Sequence, residues 1–144
     1  MPIKWPFLRK GCAIIYDAVY SNISKNLGLT FNNARITGVI SATDALHYYD
    51  GKYYPKIGIK EAAAFNGVIN TPSPAVNNGV IVTLANDSKW TVTSTSYLSK
   101  LVIEQGASIT AAAGRKLTMT DDGNSVNKIT AGTYIGNIVL KVNH

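Results

Sequence analysis

The chain has 144 residues, of which 46% are hydrophobic and only 15% charged, with a net charge of +6. That length fits one domain able to bury roughly 68–70% of its unfolded surface, and the apolar content excludes global disorder. The basic residues are dispersed. Lys4, Arg9, Lys10 and Lys25 lie near the start, Lys52, Lys56 and Lys60 near the middle, and Arg115 and Lys116 near the end. No run of like charges suits a nucleic-acid tail, and the positive balance reflects a shortage of acids, Glu61 and Glu104 being the only glutamates.

Cys12 is the single cysteine, so neither an intrachain disulfide nor a Cys-rich metal site is available, and it reads as a small half-buried apolar residue. Gly11-Cys12 imitates a lipoprotein cleavage site, but Arg9 and Lys10 stand where small apolar residues are required. Asp17 cuts short the signal-like run Cys12-Ala13-Ile14-Ile15. An exported form would therefore have lost its signal or use an unconventional one. No apolar stretch approaches the length of about 18 residues needed to span a membrane as a helix.

In chain order, Ile15, Val19, Ile23 and Leu27 recur every four residues and predict a helix over 12–27, closed by Gly28 as a C-cap. The Ile, Val and Tyr content also permits a strand pair there. Residues 1–28 are accordingly expected to be an N-terminal arm or cap, as a short helix or an extended segment. Residues 29–144 form a single β-rich domain, subdivided near 72–78. Ala34–Ser41 reads as a strand with a bulge or bend at Gly38. His47–Pro55 is a hairpin: Asp50-Gly51 supplies the positive φ angles of a type I′ turn, and Tyr48, Tyr49, Tyr53 and Tyr54 flank it. Lys60–Phe65 predicts a helical turn ended by Gly67, and Thr71-Pro72-Ser73-Pro74 a rigid extended link.

After Gly79 the pattern is nearly all strand: 80–84, 90–93, 101–104, 107–110, 117–120, 126–129 and 138–142. Turns fall at Asn86-Asp87, Gly106, Gly114, Asp121-Asp122-Gly123 and Gly132. Trp-Thr-Val-Thr and Leu-Thr-Met-Thr alternate cleanly, which assigns Trp90, Val92, Leu117 and Met119 to a core face and the threonines to the opposite one. Such spacing predicts a mainly β fold, either a β-solenoid or a β-sandwich of jelly-roll type. The stretch from Ser88 to Thr120, a Trp-Thr-Val-Thr strand, a Leu-rich strand, a Gly-Ala turn and a Gly-Arg-Lys-Leu-Thr strand, resembles the rungs of secreted bacterial right-handed β-helix proteins. Autotransporter-passenger-like and clostridial surface proteins are examples. The resemblance covers residues 78–142 and implies a solenoid on the cell exterior.

Catalytic chemistry finds little support. General acid–base work wants paired carboxylates or a positioned histidine. The aspartates mostly occupy turn-like positions, the histidines are His47 and the terminal His144, and no G-x-S-x-G elbow occurs. Asp121-Asp122-Gly123-Asn124 lacks the alternating acids and distal glutamate of a calcium loop and reads as a tight turn. The expectation is a protein with no enzymatic activity, cofactor or metal. It is read as a secreted or cell-surface structural protomer that assembles with itself into a fibre or layer. The alternative is a carbohydrate-binding adhesin module using the hairpin, with polysaccharide as partner. The interface residues singled out are Tyr48, Tyr49, Tyr53 and Tyr54, as a stacking platform or protein anchor, with Ile15 and Val19 of the N-terminal arm.

Overall fold

The computed structural model describes residues 12–16, 25–55, 67–76 and 79–144. These contain twelve strands and no helix. In chain order they are β1 (Cys12–Tyr16), β2 (Leu27–Asn32), β3 (Arg35–Tyr49), β4 (Lys52–Tyr54), β5 (Gly67–Pro72) and β6 (Val80–Ala85), then β7 (Lys89–Val92), β8 (Ser96–Ile103), β9 (Ser108–Ala111), β10 (Lys116–Asp121), β11 (Asn124–Val126) and β12 (Gly132–Asn143). One six-stranded sheet has the order β11-β10-β12-β8-β6-β2. The other runs β1-β3-β7-β9, with β4 and β5 on the far half of β3. The sheets are mixed, the arrangement is sandwich-like, and no barrel closes.

Two parallel pairings, one in each sheet, share one offset. Ile81 of β6 lies beside Lys100 of β8, and Lys89 of β7 beside Ser108 of β9, an offset of 19 residues in each sheet. The preceding strands stack in the same sense, with Leu27 beside Val80 and Arg35 beside Lys89. Here the chain between partners is longer because the β3–β4–β5 excursion is inserted. Parallel neighbours need a crossover. In this protein the crossover is a strand of the opposite sheet.

This register aligns like side chains. Leu29, Val82 and Leu101 form one row, and Phe31, Leu84 and Ile103 the next. Ile36, Trp90 and half-buried Ile109 form a row in the facing sheet. The first two rows, with Ile36 and Trp90, are at most 3% exposed and make up much of the core. The Trp90 indole N–H donates to the Gly38 carbonyl of the neighbouring strand at 3.1 Å, so the largest core side chain carries no unsatisfied donor. The alternation read from the sequence holds: Trp90, Val92 and Met119 are buried, and Leu117 packs half-buried against the core.

Beyond β8 the sheet changes character. β12 lies between β8 and β10 and is antiparallel to both, and the short β11 forms the edge. Antiparallel pairing stops the parallel stack on this side.

Several expectations are corrected. The predicted helix over 12–27 is not formed where the chain is described. Cys12–Tyr16 is a strand parallel to β3, and Leu27 and Gly28 belong to β2 rather than to a helix terminus. The four-residue recurrence of Ile15 and Leu27 is outweighed by Ile- and Tyr-rich pairing with β3, a case of tertiary context overriding periodicity. Val19 lies outside the described residues, as does the predicted helical turn at 60–65. At Gly38, expected as a bulge or bend, φ is 147°, and β3 changes partner there: pairing with β7 ends on Gly38 and pairing with β1 begins on it. A register shift falls on β12, between Ile135 and Ile138.

Replacing fully buried Leu84 by alanine leaves a cavity in the middle row. It should lower unfolding free energy by about 2–5 kcal/mol in urea titrations, against less than about 1 kcal/mol for Thr83→Ala, whose side chain points out of the core.

Candidate functional site

The corner between the two sheets carries a cluster of polar contacts, and it repeats. At its first passage Asn33 takes a φ of 51°, and at its second Asn86 takes 52°. At the third passage Gly106 supplies 87°. Ser88 N–H donates to Ala85 O at 3.2 Å, and Ala107 N–H to Glu104 O at 3.1 Å, closing the second and third turns. Side chains join one turn to the next. The Asn86 amide donates to the Asn32 Oδ1, Asp87 N–H to Asn33 Oδ1, and Asn86 N–H to the Glu104 carboxylate.

The second turn holds one residue more than the first, because the offset between partner strands rises from 53 (Asn32 beside Ala85) to 54 (Arg35 beside Lys89) across the corner. The extra position is used. Ser88 is fully buried, its Oγ donates to Phe31 O at 3.0 Å and accepts from Ala34 N–H at 3.1 Å, so it satisfies two backbone groups of the turn below. These contacts hold backbone in place. They include no nucleophile beside a base.

The tyrosine hairpin forms as expected, with Asp50 at φ 48° and Gly51 at φ 75°. Tyr48 lies directly opposite Tyr53, ring centroids 5.0 Å apart. Tyr49 and Tyr54 meet diagonally at 6.5 Å. Side chains alternate along a strand, so the two pairs occupy opposite faces. In each pair the rings are tilted by 57°. The four tyrosines therefore make two cross-strand contacts rather than one flat platform. Tyr53 is 51% exposed and the other three are half-buried. Leu46 and Ile69 are opposite each other on the Tyr48 face, 43% and 47% exposed. Ile15, the other singled-out residue with a described backbone, lies on β1 opposite Ser41.

Asp121–Asn124 is the tight turn that the sequence suggested, with Asp122 at φ 47° and Gly123 at φ 82°. Asp122 serves the shifted stretch of β12: it accepts from Asn137 N–H at 2.8 Å and its own N–H donates to Asn137 O at 3.1 Å. Gly136 sits against this turn at φ 149°, and a Cβ there would fall 2.6 Å from oxygens of Asp121 and Asp122. Among the described residues no group of three or more His, Cys, Asp or Glu side chains could hold a metal ion.

The sequence reading missed β2 altogether, and with it a sheet edge. The first sheet ends on β2. Leu27 N–H donates to Gly79 O at 2.9 Å, so Leu27, Leu29 and Phe31 direct their backbone groups towards β6. Gly28, Thr30 and Asn32 direct theirs the other way, where no partner strand lies among the described residues. The available signal was the alternation Leu-Gly-Leu-Thr-Phe-Asn, hidden by a glycine read as a helix terminus. No protein-family description, curated protein or solved structure matches this chain.

Ser88→Ala should cost about 1–3 kcal/mol of stability, measured by denaturant unfolding, because it strands the buried Ala34 N–H and removes a second bond from the Phe31 carbonyl.

Proposed function

We propose that the chain is a non-enzymatic structural module of the cell exterior. In this reading it is a short β-solenoid that joins to a second copy of itself along β2. The observation that carries the reading is the inequality of the two ends of the parallel strands in the sheet that holds β2, β6 and β8. On one side the stack is closed by antiparallel β12, β10 and the three-residue β11. On the other it ends on β2, six residues without a charge or a proline. Natural sheet edges are usually blunted by charge, proline or shortness, and an edge without these devices invites a further strand. The 19-residue offset shared by the β6–β8 and β7–β9 pairs and the corner ladder support the solenoid and its likeness to secreted β-helix proteins. Two β2 edges meeting antiparallel would make a self-complementary dimer contact of the kind closed oligomers use.

Thr30→Pro tests this. Its N–H points away from β6, so proline there removes an outward donor while leaving the internal ladder intact. The wild-type protein is expected to elute as a dimer or larger species in light-scattering chromatography and to show particles by negative-stain microscopy. Thr30→Pro should be monomeric with an unchanged thermal melt. A wild-type protein that stays monomeric over a wide concentration range overturns the assembly.

A second reading, carbohydrate binding by the hairpin, is favoured by the exposure of Tyr53 beside Tyr48. On a glycan array, Tyr53→Ala should abolish any signal that depends on the hairpin, and a signal that persists counts against that role.

A further inference from the structure

The second sheet also has an open edge, and its surroundings are unlike those of β2. The sheet ends on β9. Ser108 N–H donates to Ser88 O at 3.0 Å, so Ser108 and Thr110 face β7. By alternation Ile109 and Ala111 turn their N–H and C=O groups outward. These outward groups have no backbone partner among the described residues. They open into a shallow cleft of about 450 Å³ between β9, the start of β10 and residues 127–129. Arg115, Lys116 and Lys128 stand around it, all exposed. No acidic side chain lines the cleft, and none of the three cations is in an ion pair among the described residues. Leu117 and Ile129 contribute apolar surface, and no aromatic ring takes part.

We propose that this cleft takes an extended acidic peptide segment as a further strand beside β9. The backbone supplies the geometry: two outward residues at i and i+2 are the unit by which an added strand is hydrogen-bonded. The charges supply the selection. Cations beside a free edge repel basic strands and would be desolvated without a partner by neutral ones, which is a common protection against indiscriminate pairing. The same cations attract a strand carrying carboxylates on alternate residues. The β9 edge of a second copy is a poor occupant, since pairing the two edges would set Arg115, Lys116 and Lys128 of each copy against the same three cations of the other. A sugar polymer would lack the aromatic stacking surface that such sites ordinarily offer. The proposal is independent of assembly through β2, which lies at the opposite end of the other sheet.

The test is a nuclear magnetic resonance titration of the whole chain at low salt. The probe is a capped peptide of alternating glutamate and valine, about seven residues long, a usual strand length. The amides of Ile109 and Ala111 should shift, and those of Ser108 and Thr110 much less. Lys116→Glu combined with Lys128→Glu should weaken binding at least about tenfold, while Lys52→Glu combined with Lys100→Glu, equal in charge but remote, should change it by less than about twofold. A peptide with a central proline should bind at least about tenfold more weakly to the unaltered protein, a comparison that needs no folded variant. Equal binding of the proline peptide overturns strand addition. An equal loss from the remote pair reduces the effect to bulk charge and overturns the site. Polygalacturonate binding that depends on Lys116 and Lys128, with no peptide binding, assigns the cleft to acidic saccharide and overturns the proposal.

Discussion

Everything in this structure depends on the in-register stacking of parallel strands, which places each apolar side chain over another of its kind. Leu29 over Val82 over Leu101 is one row, and Phe31 over Leu84 over Ile103 the next. A slip of one residue would turn every one of these side chains to the outer face, because the side-chain period of a strand is two. The register is therefore held by the whole row at once. It also brings the corners into line. Once Phe31, Leu84 and Ile103 are stacked, the turns after them must stack as well, and Asn32, Asn86 and Glu104 come within hydrogen-bonding reach. The polar ladder follows from the apolar one.

The same constraint explains where the chain tolerates irregularity. Between the first and second passages through the sheets lies the excursion that carries β4 and β5. It leaves from the end of β3 after the last core-facing residues, Ile40 and Ala42, and returns before Val80. Inserting residues there lengthens a connection without disturbing a row, and the entropic cost of a longer loop grows only slowly with length. The corner has no such freedom. Its one extra residue, Ser88, is fully buried and bonded to the turn below. An insertion at a corner has to be absorbed by the ladder. An insertion at the far end of β3 does not.

What the sequence revealed and what it hid follow from the range of the interactions. Local signals were legible: Trp90-Thr91-Val92 and Leu117-Thr118-Met119 alternate, and Asp50-Gly51 and Asp122-Gly123 sit at positive φ as type I′ turns require. The pairing of the tyrosines across the hairpin was legible too, since residues on facing strands alternate between two faces. The parallel partners were hidden, because β2 and β6 are separated by 53 residues and nothing local marks one as the neighbour of the other. The N-terminal misreading has the same origin. Ile and Tyr at helical spacing also suit a strand, and only β3 decides between them. The cleft beside β9 joins Arg115 and Lys116 to Lys128, which the β10–β11 hairpin brings back to the same place.

β2 and β9, one end strand of each sheet, differ in the side chains beside them. Both β2 and β9 present backbone groups that a further strand could use, and the hydrogen bonds on offer are chemically identical. Selectivity must therefore come from side chains nearby. β2 carries none with charge, so strand addition there is governed by shape and apolar contact. β9 is four residues long and flanked by three cations, so addition there depends on the sign of the incoming charge. In a chain with few charged residues, gathering Arg115, Lys116 and Lys128 beside β9 and leaving β2 without charge makes these two edges unlike in the surface they present.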